Sequence, residues 1–384
     1  MKKTFSILLM TVAITAHAQK ATIKKQFKNL EPQVSLLLKE APAAAQNGRN
    51  FPRTLENGKL KNVVSRDWTS GFFPGILWLM YEGSGDKKWL APAKEYTEMM
   101  RKEQFNKGTH DLGFMMFCSF GNGYRLTGDT AYRNVLVQAA RSLVSRFNQT
   151  TGVIRSWDHH QDLWKFPVII DNMMNLELLF EATKYTGDSS FYKIAVRHAD
   201  VTLKNHFRAD NSSYHVIDYD PETGQVRKKM THQGYADESA WARGQAWGLY
   251  GYTLCYRYTK DKKYLEQAEK IAAYILNHPR KTTDLVPYWD YDAPGDDQPR
   301  DASAASVTSS ALFELAELSG KSAYRAQAKL ILENLGKFYR SAAGSNSGFI
   351  LAHSTGHLPA KSEIDVPLIY ADYYYLEALL RSRR

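Results

Sequence analysis

Apolar side chains recur every three to four residues along most of this chain, the period of a helix and not of a strand. The pattern predicts helices over residues 21–40, 68–83, 86–105, 111–127, 130–147, 168–186, 189–207, 238–259, 262–278, 302–319, 322–342 and 368–382. They alternate in character. Segments such as LGFMMFCSFGNGY (Leu112–Tyr124) and ARGQAWGLYGYTLCY (Ala242–Tyr256) are apolar nearly all round, whereas YLEQAEKIAAYIL (Tyr264–Leu276) has one apolar face. A helix apolar on every side is buried, and an amphipathic one covers it from outside. Six buried and six covering helices predict an all-α fold, an (α/α)6 barrel spanning residues 19–384 as a single domain.

A repeated turn supports the pairing. It reads SGDKKW from Ser84, TGDTAY from Thr127, TGDSSF from Thr186, TKDKKY from Thr259 and SGKSAY from Ser319. The Gly supplies a left-handed C-cap to one helix, the Asp or a nearby hydroxyl caps the next, and the aromatic opens a new apolar stripe. Intervals of 43, 59, 73 and 60 residues between these turns are too uneven for the alternative, an open solenoid of identical stacked units.

Counting back sixteen residues from the turns reaches Trp68, Asp111, Arg243 and Ser303, and counting back fifteen reaches Asp171. At 1.5 Å per residue each lies about 24 Å from its turn, so all five share one rim, at the positive ends of the inner helices. The long connections 42–67, 148–167, 208–237 and 279–301 emerge on the same side, where such loops build binding sites. Asp171 sits in FPVIIDNMMNLELLF (Phe166–Phe180), read as a helix opened by Pro167, with the aspartate about four residues inside. An unpaired carboxylate on an apolar helix is costly to keep. Burial raises a carboxyl pKa, which makes Asp171 the proton donor, while the helix terminus favours Asp111 as the anion. Asp111 also has a purely structural reading, as an N-cap after Gly108 and Thr109. Two carboxyls driven apart in this way suit acid–base chemistry on a sugar.

Composition narrows the partner. Met1 to Ala18 has a basic start (Lys2, Lys3), an apolar core and an Ala16-His17-Ala18 cleavage signal, which predicts a signal peptide over 1–18 and a periplasmic product. The net charge of +10, about +8 without Lys2 and Lys3, suits an acidic partner, and the 12% aromatic content favours carbohydrate over nucleic acid. No later apolar run spans a membrane. Cys118 and Cys255 lie in apolar helical segments and read as buried thiols. The loop WDHHQD (Trp157–Asp162) lacks the spacing of a metal site, and GSGDKK is a turn, not a phosphate loop.

HDLGF (His110–Phe114), IIDNMMN (Ile169–Asn175), WARGQAW (Trp241–Trp247) and PYWDYDAPG (Pro287–Gly295) resemble the unsaturated glucuronyl hydrolases of glycoside hydrolase family 88. The likeness runs from RDWTSGFFPG at Arg66 to DVPLIYADYYYLEALL near the end. It implies the (α/α)6 barrel, and a substrate that is a lyase-generated oligosaccharide with a 4,5-unsaturated uronic acid at its non-reducing end. It implies further that Asp171 protonates C4 and assists addition of water at C5, with Asp111 stabilising the positive charge, and that no metal or cofactor takes part. By the same resemblance Trp68 stacks on the unsaturated ring, His215 lies near the acid, and Gln233, Arg243 and Trp247 line the ring and its carboxylate. Arg243 reads equally well as an ion-pair partner of the aspartates. Trp241 is a possible second aromatic wall, and Arg300, Asp301 and Ser303 share the rim. Lys361, in HSTGHLPAKSE (His353–Glu363), is expected to meet a sulfate on the neighbouring sugar. The expected partner is an acidic oligosaccharide, sulfated or unsulfated, with no nucleic acid or membrane, and the chain is expected to act as a monomer. Three alternatives stand beside this reading: an unsaturated rhamnogalacturonyl hydrolase, an inverting glycosidase using both aspartates, and a non-catalytic sugar-binding scaffold.

Overall fold

In the computed structural model the backbone is described for residues 2–383 and the side chains for 21–383; the expected signal peptide lies outside the residues whose side chains are described. Among the described residues twelve α-helices follow one another: α1 (Lys2–Ala43), α2 (Phe72–Ser84), α3 (Leu90–Met99), α4 (Asn122–Thr127), α5 (Thr130–Val144), α6 (Leu176–Thr186), α7 (Ser189–Asn205), α8 (Ala242–Thr259), α9 (Lys262–Asn277), α10 (Ala302–Ser319), α11 (Ser322–Phe338) and α12 (Ile369–Arg381). The even-numbered helices form the inner ring and the odd-numbered ones cover it. Each inner segment packs on the next, and α12 packs back on α2 to close the circle.

The sequence character of the helices explains the two layers. Every residue of α8 from Ala242 to Cys255 and of α10 from Ala302 to Ala316 is buried. In α9 burial is confined to Tyr264, Gln267, Ala268, Ile271, Ala272 and Ile275, a single stripe at helical spacing. The repeated turns behave as their residues require. Gly85, Gly128, Gly187 and Gly320 close the inner helices in the left-handed region, and Asp86, Asp129 and Asp188 each accept the backbone N–H two residues on. Lys260 takes the same left-handed cap without being glycine, a conformation that costs a side-chain-bearing residue roughly 1 kcal/mol.

At the turn end of the barrel, ion pairs stitch the inner helices together. Glu82 of α2 meets Arg125 of α4 (2.6 Å) and Arg383 after α12 (2.5 Å). Arg257 of α8 binds Glu177 of α6 and Glu314 of α10, and Arg381 of α12 reaches Glu314 at 3.1 Å. The opposite end is left open for loops.

Several predicted helices differ at that open end. The segment at 111 begins as a π-helix, Gly113–Gly121, which runs into α4. α2 starts at Phe72, and the 86–105 segment breaks into 3-10 turns on either side of α3. The largest correction concerns 168–186. Pro167–Ile169 is a strand, antiparallel to Val216–Tyr219, which in turn pairs with Val226–Met230; Ile170–Asn175 is a 3-10 helix, and only then does α6 begin. Pro167 sits in an outer strand of this sheet, where a missing N–H is tolerated, and the Asp218 carboxylate binds the N–H of Phe166 at 2.8 Å, before the proline. The 42–67 connection is not irregular either: Phe51–Glu56 and Lys59–Val63 form a hairpin whose turn, Asn57-Gly58, has both φ angles positive.

Candidate active site

A cavity of about 220 Å³ opens among the N-terminal ends of the inner segments, lined by Trp68, Asp111, Asp171, Gln233, Trp241 and Arg243 of the predicted residues. Its two carboxyls hang on neighbouring segments whose spacing is fixed locally. A Cβ added at Gly113 would lie 2.5 Å from Asn175 Cα, so only glycine lets the π-helix approach the 3-10 helix this closely. Asn175 Oδ1 accepts the N–H of Phe114 at 3.0 Å and locks the contact. Asp111 precedes the first element and Asp171 is the second residue of the other.

Asp171 is buried, and Oδ2 has no hydrogen-bond partner. Burial pushes its pKa up to about 7; Asp111 adds to the rise, while Arg243 and the Trp247 indole oppose it. It caps no helix. Neither does Asp111, whose Oδ2 accepts the Thr109 hydroxyl at 2.7 Å and whose Oδ1 lies 3.3 Å from His110 Nε2. The capping alternative for Asp111 is therefore absent from this structure.

His215 faces the acid. Its Nδ1 accepts the backbone N–H of His232 and of Gln233, both at 3.1 Å, so its own proton must sit on Nε2, which lies 3.7 Å from Asp171 Oδ2. Burial, reinforced by neighbouring imidazoles and Arg243, holds its pKa well below the usual range, so the ring is neutral and presents only a donor to Asp171. Arg243 is buried in the first turn of α8. It pairs not with the two cavity aspartates but with Asp301 (2.8 Å), donates to the carbonyls of Thr355 (2.6 Å) and Gly356 (2.5 Å), and lies over the Trp241 ring at 4.3 Å. Gln233 Nε2 donates to Gly356 at 3.1 Å, and the Trp68 ring rests 4.9 Å from Tyr370.

Two predicted residues stand elsewhere. Trp247, one turn of α8 further into the barrel than Arg243, is fully buried beneath the cavity against Phe114 and Tyr374 and does not line it. Lys361 is exposed in the turn between His357 and Ser362, and its neighbour Ser362 reaches the cavity instead. Arg300 pairs with Asp284 (3.2 Å), and Ser303 binds Asp301 (2.5 Å), which caps α10; no residue of 279–301 lines the cavity. Sequence reasoning missed Arg53, Trp157, His159, His232, His357 and Tyr370, all of which do. Trp157 and His159 come from the WDHHQD loop and stack at 5.2 Å. Among the described residues no group of three or more His, Cys, Asp or Glu side chains is arranged to hold a metal ion, and no helix is long and apolar enough to cross a membrane. Both cysteines are buried and free.

The family described as Glycosyl Hydrolase Family 88 matches residues 48–335. A protein named unsaturated glucuronyl hydrolase from Formosa agariphila is 47% identical over 370 residues, covering 95% of this chain and 92% of its own. A protein named unsaturated chondroitin disaccharide hydrolase from Streptococcus pneumoniae is 33% identical over 369 residues, covering 94% of this chain and 90% of its own. Among solved structures, one described as an unsaturated glucuronyl hydrolase specific for heparin superposes with a TM-score of 0.88 at 50% identity, over 94% of this chain and 96% of that one. These solved relatives are (α/α)6 barrels, as this ring of inner and outer helices is. A paired-carboxyl cavity at the open end of such a barrel, with this extent of likeness, leaves one assignment: the chain belongs to glycosyl hydrolase family 88.

Proposed function

We propose that this chain removes the 4,5-unsaturated uronic acid from the non-reducing end of lyase-generated oligosaccharides by adding water across the C4=C5 bond. The names of its relatives support a glycosaminoglycan source for the substrate. The observation that carries the reading is Asp171, a buried carboxyl with its pKa pushed up to about 7 in the cavity it shares with Asp111. Protonating a vinyl-ether carbon needs an acid that still holds its proton near neutral pH.

In this reading Asp171 gives its proton to C4, and the bond's electron pair becomes the new C–H bond. The positive charge left at C5, shared with the ring oxygen, is stabilised by Asp111. The Asp171 carboxylate, steadied by the Nε2–H of His215, then takes a proton from the water that attacks C5. The hemiketal opens to a ketone, and the hemiacetal at C1 releases the remaining sugar as a free hydroxyl. Trp68 and Trp241 offer faces for the ring, and Arg243 and Gln233, which both donate to the Gly356 carbonyl, are assigned to the substrate carboxylate in this reading. Arg243 also holds the backbone at Thr355 and Gly356.

The finer parts of the reading go with it: export by the leader at residues 1–18 to the periplasm, action as a monomer, and a sulfate on the leaving sugar met by Lys361. Lys361→Ala is then expected to lower the preference for sulfated over unsulfated disaccharide. The test of the main claim is the ultraviolet absorbance of the conjugated enoate in an unsaturated chondroitin disaccharide. Wild type is expected to remove it and Asp171→Asn to leave it. Turnover of saturated glucuronides by wild type would favour the inverting glycosidase instead.

A further inference from the structure

Beside the active-site cavity lies a second, larger pocket of about 390 Å³ on the strand hairpin that precedes α2. The two share a wall, since Arg53, Ser362 and Glu363 line both. Arg53 forms that wall by bridging Asp67 (3.0 Å) and Glu363 (2.6 Å), so its charge is spent internally. The pocket's remaining charged lining is cationic: Arg49, Lys61 and Arg66. Lys61 is engaged by Glu56 at 2.6 Å. Arg49 and Arg66 are exposed and their guanidinium groups make no hydrogen bond or ion pair among the described residues, though Glu56 lies within electrostatic reach of Arg49. Two unpaired arginines next to a site that takes an acidic sugar are not needed by the chemistry at Asp171, and they do not touch its cavity. A substrate longer than a disaccharide must leave the smaller cavity through its mouth, and the basic pocket is the adjoining concavity.

We propose that this pocket is an anion subsite, in which Arg49 and Arg66 hold the carboxylate or sulfate of a sugar beyond the leaving one. The proposal rests on the functional reading above. It makes the enzyme selective for acidic oligosaccharides over disaccharides, through contacts remote from the double bond. Guanidinium groups suit this task because they meet planar carboxylates and sulfates with two donors at once.

The test compares wild type with Arg49→Ala/Arg66→Ala on three unsaturated substrates: chondroitin disaccharide, hyaluronan tetrasaccharide and 6-sulfated chondroitin tetrasaccharide. The readout is the ratio of KM for each tetrasaccharide to KM for the disaccharide. Two solvent-facing charge contacts predict a roughly fivefold rise in that ratio, with kcat little changed, and the rise should vanish in high salt. An increase with the hyaluronan tetrasaccharide assigns the contact to a carboxylate. An increase confined to the sulfated one assigns it to sulfate. An unchanged ratio for both, with wild type active, overturns the subsite alone. Wild type that acts on none of the three overturns the functional reading and the subsite together. Arg66→Glu should exaggerate any increase, and a ratio that this variant also leaves unmoved excludes the pocket.

Discussion

Asp171→Asn should make the protein more stable at neutral pH while destroying its activity. The carboxyl ionises near pH 3.8 as a free side chain and near pH 7 in the folded protein, chiefly because it is buried. A folded-state pKa raised in an acid is a penalty. Between these values the unfolded chain ionises first, so wild type loses stability as pH rises from about 4 to about 7, and the loss stays constant above that. At about 1.4 kcal/mol per tenfold change in proton affinity, the interval is worth roughly 4 kcal/mol. Asparagine carries no such term. Its amide brings one donor more than the protonated carboxyl it replaces, and a further unpaired buried donor costs about 1–3 kcal/mol at every pH. The net gain expected at pH 8 is therefore about 1–3 kcal/mol, turning to a loss of similar size at pH 4. Urea unfolding of both proteins at the two pH values measures it. The diagnostic quantity is the change in the gap between them, about 4 kcal/mol, since groups common to both cancel. A gap that is the same at pH 4 and pH 8 refutes the claim that Asp171 is held protonated by burial. Turnover of unsaturated disaccharide should fall by about a thousandfold in the same variant.

Other consequences follow from the geometry. Because the reaction needs protonated Asp171, kcat/KM should decline as pH rises through about 7, and Asp111→Asn should move that limb to lower pH, since the Asp111 charge helps to raise it; pH–rate profiles of both proteins decide it. Arg243→Ala leaves the buried Asp301 without the guanidinium that pairs with it, so unfolding free energy should drop by about 3–5 kcal/mol, and lysine should restore little of it. Gly113→Ala places a methyl 2.5 Å from Asn175 Cα and must spread the two aspartate-bearing segments. Activity is then expected to drop about a hundredfold while stability falls by only about 1–3 kcal/mol, as read from kinetics and denaturation side by side.

What was legible in the sequence was whatever local rules govern. The glycine C-caps at the repeated turns, the Asp caps that follow them and the single stripe of α9 depend on residues three or four apart, and they appear in the structure where the pattern puts them. The open end obeys longer-range terms. The valine and isoleucine after Pro167 form a strand because Val216–Tyr219 lies beside them, a partner some fifty residues away that no helical period can reveal. The same holds for the cavity's other wall. Arg53, His232 and His357 come from separate connections and meet only through contacts such as Arg53 with Glu363 and His357 with the His232 carbonyl. Asn57-Gly58 was an available signal for the hairpin carrying Arg53. Trp247 shows what a helical period leaves open: one turn beyond Arg243 on the same face of α8, it lies below the cavity and not in its wall.

The most direct test of the account follows the double bond and the leaving sugar together. Wild type would be incubated with an unsaturated chondroitin disaccharide in D2O, with enoate absorbance and released sugar recorded against time and the product examined by NMR. The account predicts that absorbance falls in step with release and that deuterium appears at C4. Release of the leaving sugar with the absorbance intact would contradict it, since the bond to the sugar would then be cut without water crossing C4=C5.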